Sequence, residues 1–191
     1  MRTIPFSQEE MAGRVARYER LRPLAIQTEA DIPQEALDLI YSRKLLPVIG
    51  LESNAATPVS ERAPIRGAAG MTITLAICPP GQGPGLHAHR RTYETFTVLQ
   101  GQFEFSYGDN GENRLTLNRL DTISIPPGIC RAFRNTSTDE GILQVIITGG
   151  VHDRNDIDLV PAIEGQLRTL SPELLERVRK QGMSFTAGRE D

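Results

Sequence analysis

The clearest pattern along the chain is the alternation in residues 71–78, MTITLAIC. Met71, Ile73, Leu75 and Ile77 fall on one face of an extended chain, and Thr72, Thr74 and Ala76 on the other. Side chains of a strand point alternately to its two faces, so this period of two predicts a β-strand. Pro79-Pro80-Gly81 ends it. The same reading predicts strands at 93–99, 103–107, 114–117, 122–125, 131–135 and 142–148. The breaks between them carry turn chemistry, as in Gln100-Gly101-Gln102, Gly108-Asp109-Asn110-Gly111 and Pro126-Pro127-Gly128. Short strands at this rhythm predict a sandwich or barrel. Parity puts Phe96, Val98, Phe103, Phe105, Ile123, Ile125 and Phe133 on the inward side. No segment repeats, so a single barrel is expected.

The two ends of the chain have helical spacing instead. In residues 7–22, Ser7 can cap a helix, and Glu10 stands three residues later, as a capping box requires. Met11, Val15 and Tyr18 follow as one apolar stripe, and Pro23 marks the stop. A second helix is predicted from near Pro33, with Ala36, Leu37, Ile40, Tyr41 and Leu45 as its buried face. A last helix starts at Ser171-Pro172-Glu173 and stops at Gly182. Residues 51–69, rich in small residues and proline, predict an irregular connector. The expected organisation is a helical extension over 1–46, a barrel over 47–150, and a loop with one helix over 151–191. The helices are expected to cover one end of the barrel or to pack on a second subunit.

Composition narrows the function. At 191 residues with 39% hydrophobic content, the chain can build one packed core with appendages. A net charge of -3 argues against a nucleic-acid binder, which needs a concentrated basic surface. The sequence has no signal-peptide core and no apolar run of membrane-spanning length, so no membrane partner is expected. Cys78 and Cys130 do not make a disulfide framework, and a cytoplasmic setting with reduced thiols is expected.

The candidate chemistry lies in residues 81–101, GQGPGLHAHRRTYETFTVLQG. His87 and His89 are two apart and so share one wall of a strand. Glu94 is five residues beyond His89, an odd offset that one unbroken strand cannot bring to the same face. The polar Arg90-Arg91-Thr92 between them can bend the chain and return Glu94 on the neighbouring strand. Two imidazoles and a carboxylate then converge as a facial triad, which holds a divalent transition metal and leaves positions open.

The spacing from Gly81 through His87, His89 and Glu94 to Gly101 resembles the first motif of the cupin superfamily. A second block, residues 120–135, is similar to the second cupin motif through Pro126, Gly128 and Asn135. It departs from the family at Leu120, where a glycine is usual, and at Arg131, where the family has a fourth metal-ligand histidine. The resemblance covers roughly residues 60–150. It implies an all-β double-stranded β-helix, the cupin jelly-roll barrel, and pairing into a homodimer; the N-terminal helices and the one C-terminal helix, read from their own spacing, flank that barrel.

For the site, His87, His89 and Glu94 would hold one divalent metal, with Fe(II) favoured and Mn, Ni or Zn as alternatives. Arg131 has three readings. It could anchor the anionic group of a small substrate, pair with Glu94 in competition with a metal, or point to solvent. A guanidinium stays protonated and cannot itself ligate a metal. His152 could swing over the barrel mouth or be a surface histidine. Cys130, next to Arg131, should face the other way. The expected function is a mononuclear non-haem iron dioxygenase acting on a small organic acid or phenolic compound. The alternatives are a non-oxidative metal-dependent lyase, isomerase or decarboxylase, and a non-catalytic small-anion-binding barrel.

Overall fold

The computed structural model describes residues 1, 3–52, 57–68, 70–150 and 155–188. In chain order the elements are α1 (Gln8–Ala12), α2 (Gln34–Asp38), β1 (Lys44–Leu51), α3 (Pro58–Arg62), β2 (Ile65–Ala68), β3 (Met71–Cys78), β4 (His87–His89), β5 (Thr92–Gln100) and β6 (Phe103–Tyr107). They continue as β7 (Asn113–Leu117), β8 (Thr122–Ile125), β9 (Arg131–Asn135), β10 (Gly141–Gly149), β11 (Ile157–Leu159), α4 (Pro161–Leu170) and α5 (Pro172–Lys180).

The strands form two sheets, ordered β2-β1-β3-β10-β5-β8 and β11-β4-β9-β6-β7. This is the double-stranded β-helix expected from the sequence. Between the sheets lie Ala76, Cys78, Phe96, Val98, Phe103, Phe105, Ile125, Phe133, Leu143 and Val145. Phe133 is the hub of the aromatic packing, with Phe96 edge-on at 5.2 Å and Phe105 at 5.5 Å between centroids. The inward parity read from β5, β6, β8 and β9 therefore holds. On β3 the more apolar face is not the interior one. Ala76 and Cys78 face the core between the sheets, while Ile77 packs outside it with Leu21 and Leu46.

The chain ends build a second core. Leu24, Ile32, Leu37 and Ile40 from the N-terminal part meet Ile163, Leu167, Leu174 and Val178 from α4 and α5. The flanking segments thus pack mainly on each other, with Leu159 of β11 joining them to the barrel. Among the described residues no helix is long and apolar enough to cross a membrane.

Three segments differ from the sequence reading. The helix expected over 7–22 stops after Ala12, although the Ser7–Glu10 capping box forms. Met11, Val15 and Tyr18 are exposed, so the stripe buries nothing and cannot sustain a longer helix. The connector at 51–69 contains α3, capped by Thr57, and the edge strand β2, paired parallel to β1. Past the barrel, the expected last helix is α5, but β11 and α4 precede it where a loop was expected. β11 has only three residues, and β2 lacks the polar–apolar alternation that marks the equally short β8, so both are defined by their pairing partners.

Candidate metal centre

The fold places the three candidate ligands on two facing sheets. His87 and His89 occupy the ends of β4, which pairs with β11 on one side and β9 on the other. Glu94 lies on β5, whose ladder partners are β10 and β8. Glu94 therefore does not return on a strand paired with β4, as the sequence reading expects. The two residues Arg90 and Arg91 carry the chain from one sheet to the other, and Glu94 faces the histidines across the barrel. It shares inward parity with Phe96 and Val98, which fixes its direction. A turn supports the arrangement: Gly128, at φ 81°, donates its N–H to the His89 carbonyl at 2.7 Å.

One donor atom from each of His87, His89 and Glu94 lies within 4.8 Å of the others, and all three residues are buried. His89 Nε2 stands 3.6 Å from Glu94 Oε2. The outward nitrogens are both engaged. His87 Nδ1 lies 2.7 Å from the Gly85 carbonyl, which can only accept. His89 Nδ1 lies 2.7 Å from Asp156 Oδ2 and 2.7 Å from Thr92 Oγ1. A proton on each Nδ1 leaves each Nε2 lone pair for the centre, the form in which histidine binds metal. The donor set of two neutral imidazoles and a carboxylate fits a divalent transition ion.

For His87 the electrostatics agree with a neutral ring. Burial, aided by the nearby Arg131 charge, pushes the His87 pKa down to about 3. Burial alone would raise Glu94, but the combined pull of Arg131, the two histidines and the Arg131 hydrogen bonds holds the carboxylate below its ordinary range. Asp156 is likewise held low, because hydrogen bonds from His89 and Thr92 outweigh its burial.

Arg131 is 1% exposed, so the reading that sends it to solvent is overturned. It pairs with Glu94: Nε donates to Oε2 at 3.1 Å, and Nη2 donates to the same oxygen. Nη1 donates to the His87 carbonyl at 3.3 Å. The guanidinium thus crosses between the sheets and concentrates on one carboxylate oxygen. A cavity of about 150 Å³ reaches Arg131 and is otherwise lined mainly by apolar groups, among them Phe105, Tyr107, Ile123, Ile125 and Ile129.

Cys130 is buried on the far side, with Ala88 and Ala187, and contributes nothing to the centre. His152 lies outside the described residues. Sequence reasoning missed Asp156 and Thr92, the partners of His89. Asp156 sits in a polar run that looks like surface, and only the pairing of β11 with β4 brings it inside.

Residues 74–147 match the Cupin domain family. The chain carries a cupin domain. Its Gly81 and Gly101 sit at φ 77° and 83°, a conformation that favours glycine and accounts for both ends of the first motif. Among solved structures, a double-stranded β-helix protein from Klebsiella pneumoniae is 22% identical, over 44% of this chain and 70% of that one, with a TM-score of 0.40. A structure from the DMSP lyases RdDddP and RnDddQII is 20% identical, with a TM-score of 0.46. It covers 60% of this chain, which spans about half (51%) of the lyase chain. A predicted oxalate decarboxylase from Thermotoga maritima is 23% identical, over 41% of this chain and 65% of that one, with a TM-score of 0.38. No curated protein sequence matches. At such identities and TM-scores, these likenesses carry no argument about what this chain does.

Proposed function

We propose that the chain is a metal-dependent cupin enzyme in which His87, His89 and Glu94 hold one divalent ion, with Fe(II) favoured over Mn, Ni or Zn. The observation that carries this reading is the pair of buried imidazoles with both Nδ1 atoms tied outward, opposite a buried carboxylate. The reaction we propose is dioxygenation of a small organic acid or phenolic compound. Bound iron would supply redox access to dioxygen and a Lewis-acid centre for the substrate.

The chain's own residues do the rest. The cavity beside Arg131 takes up a small, largely apolar body. The guanidinium has more N–H donors than Glu94 Oε2 and the His87 carbonyl use, so it can also hold the substrate's anionic group. Its charge further keeps Glu94 ionised and His87 neutral, the states a metal requires of them.

The test is oxygen uptake by Fe(II)-loaded protein with a panel of small carboxylic acids and phenols. The reading expects uptake with at least one compound and its loss in His87→Ala. Normal turnover by that variant would sink it. Turnover without oxygen would assign a non-oxidative lyase, isomerase or decarboxylase instead.

One observation favours a second reading. The Arg131–Glu94 pair already neutralises the carboxylate, as a metal-free barrel that binds a small anion would require. Ligand-induced stabilisation that a chelator leaves unchanged would support it.

A further inference from the structure

We infer that Asp156 is a positioning residue that fixes the proton of His89 on Nδ1 and so keeps Nε2 as a lone-pair donor facing Glu94. The inference rests on the metal reading only for what that lone pair binds.

Asp156 follows His89 by 67 residues and is brought to it by the register of β11 on β4. Ile157 lies opposite His89, and Arg90 N–H donates to the Asp156 carbonyl at 2.8 Å. Asp156 is 5% exposed, and its two carboxylate oxygens have different tasks. Oδ1 accepts the backbone N–H of Arg91 at 2.7 Å and of Thr92 at 3.2 Å. Oδ2 accepts the Thr92 hydroxyl at 2.6 Å and faces His89 Nδ1 at 2.7 Å.

The Thr92 hydroxyl proton is therefore committed to Asp156, and Thr92 Oγ1 can offer His89 only a lone pair. Both neighbours of Nδ1 are acceptors, so Nδ1 must be the donor. One carboxylate thus does two things. It pins the Arg90–Thr92 turn between the sheets, and it selects the tautomer of the histidine at the start of that turn.

The division of labour makes Asp156→Asn informative. Two backbone N–H groups still require the oxygen at the Oδ1 position, so the amide nitrogen takes the place of Oδ2. That nitrogen is a donor aimed at Nδ1, and it drives the His89 proton to Nε2, towards Glu94. The substitution keeps the size of the side chain and the turn contacts but inverts the tautomer.

The experiment has two arms. In the first, long-range nitrogen–proton NMR of the metal-free protein reads the His89 tautomer in wild type and in Asp156→Asn. The expected result is a proton on Nδ1 in wild type and on Nε2 in the variant. A folded variant with the proton still on Nδ1 overturns the inference. If the variant does not fold, the wild-type spectrum decides alone, and a proton on Nε2 overturns it.

In the second arm, calorimetric titration with Zn(II) should show binding weakened about 10- to 100-fold in the variant. Equal affinity in the two proteins overturns the positioning role. If wild type binds no Zn(II) while the tautomer still follows residue 156, the metal reading falls and the positioning role stands.

Discussion

Glu94 and Arg131 depend on one another at the scale of single residues. A guanidinium buried to 1% exposure keeps its charge, so removing its partner leaves that charge uncompensated. Glu94→Ala is expected to lower unfolding stability by about 3–5 kcal/mol in denaturant titration, the usual cost of breaking a buried pair. A loss no larger than that of a surface substitution would contradict the pairing. Leu120 offers the opposite case. It is the one non-glycine residue at positive φ among those described, at 73°, and it is 68% exposed. Leu120→Gly should raise stability by about 1 kcal/mol, because a side chain in this conformation crowds the following carbonyl. Unchanged or lower stability would show that Leu120 makes a compensating contact. The candidate ligands were legible in the sequence because their spacing is local, and Leu120 was legible as a departure from the glycine usual in the motif. The Arg131–Glu94 pair was one of three open readings, because opposing faces of a barrel meet only through its closure.

The contrast between α1 and α5 shows what decides legibility at the scale of elements. Both have caps readable from sequence, and both caps form. Only α5 has something to pack on. Leu174 is fully buried in the helical core, whereas Met11 on α1 is 56% exposed. Leu174→Ala should therefore cost about 2–5 kcal/mol, and Met11→Ala less than about 0.5 kcal/mol, in parallel thermal unfolding. Similar losses would mean that α1 is buried in solution. Strands β3, β5, β6 and β10 were legible because five or more residues carry a period of two. β2 and β11 were not, because β11 has only three residues and Ile65–Ala68 lacks the polar–apolar alternation and the following Pro-Pro-Gly turn that mark the equally short β8.

The barrel and the helical layer meet at the site on the scale of the whole molecule. Gly85, whose carbonyl holds His87, donates its own N–H to Leu39, just past α2, at 3.0 Å. A β-carbon at Gly85 would stand 2.5 Å from Ile163 Cδ1 and 3.2 Å from the Leu39 carbonyl, so glycine is needed for this approach. His89 is held by Asp156, which precedes β11. His87 is thus oriented from within the motif, by a carbonyl braced beneath the helical layer, and His89 from outside it, by the returning C-terminal segment. The motif supplies the candidate ligands, and the appended segments brace the way they point.

On the proposed reading, this arrangement holds a metal ion. The most direct test is elemental analysis of protein purified without chelator, beside a His87→Ala control. The expected result is one divalent transition ion per chain in wild type, with iron favoured, and its loss in the control. Wild-type protein that carries no metal, and takes up none when Fe(II), Mn(II), Ni(II) or Zn(II) is offered, would contradict it.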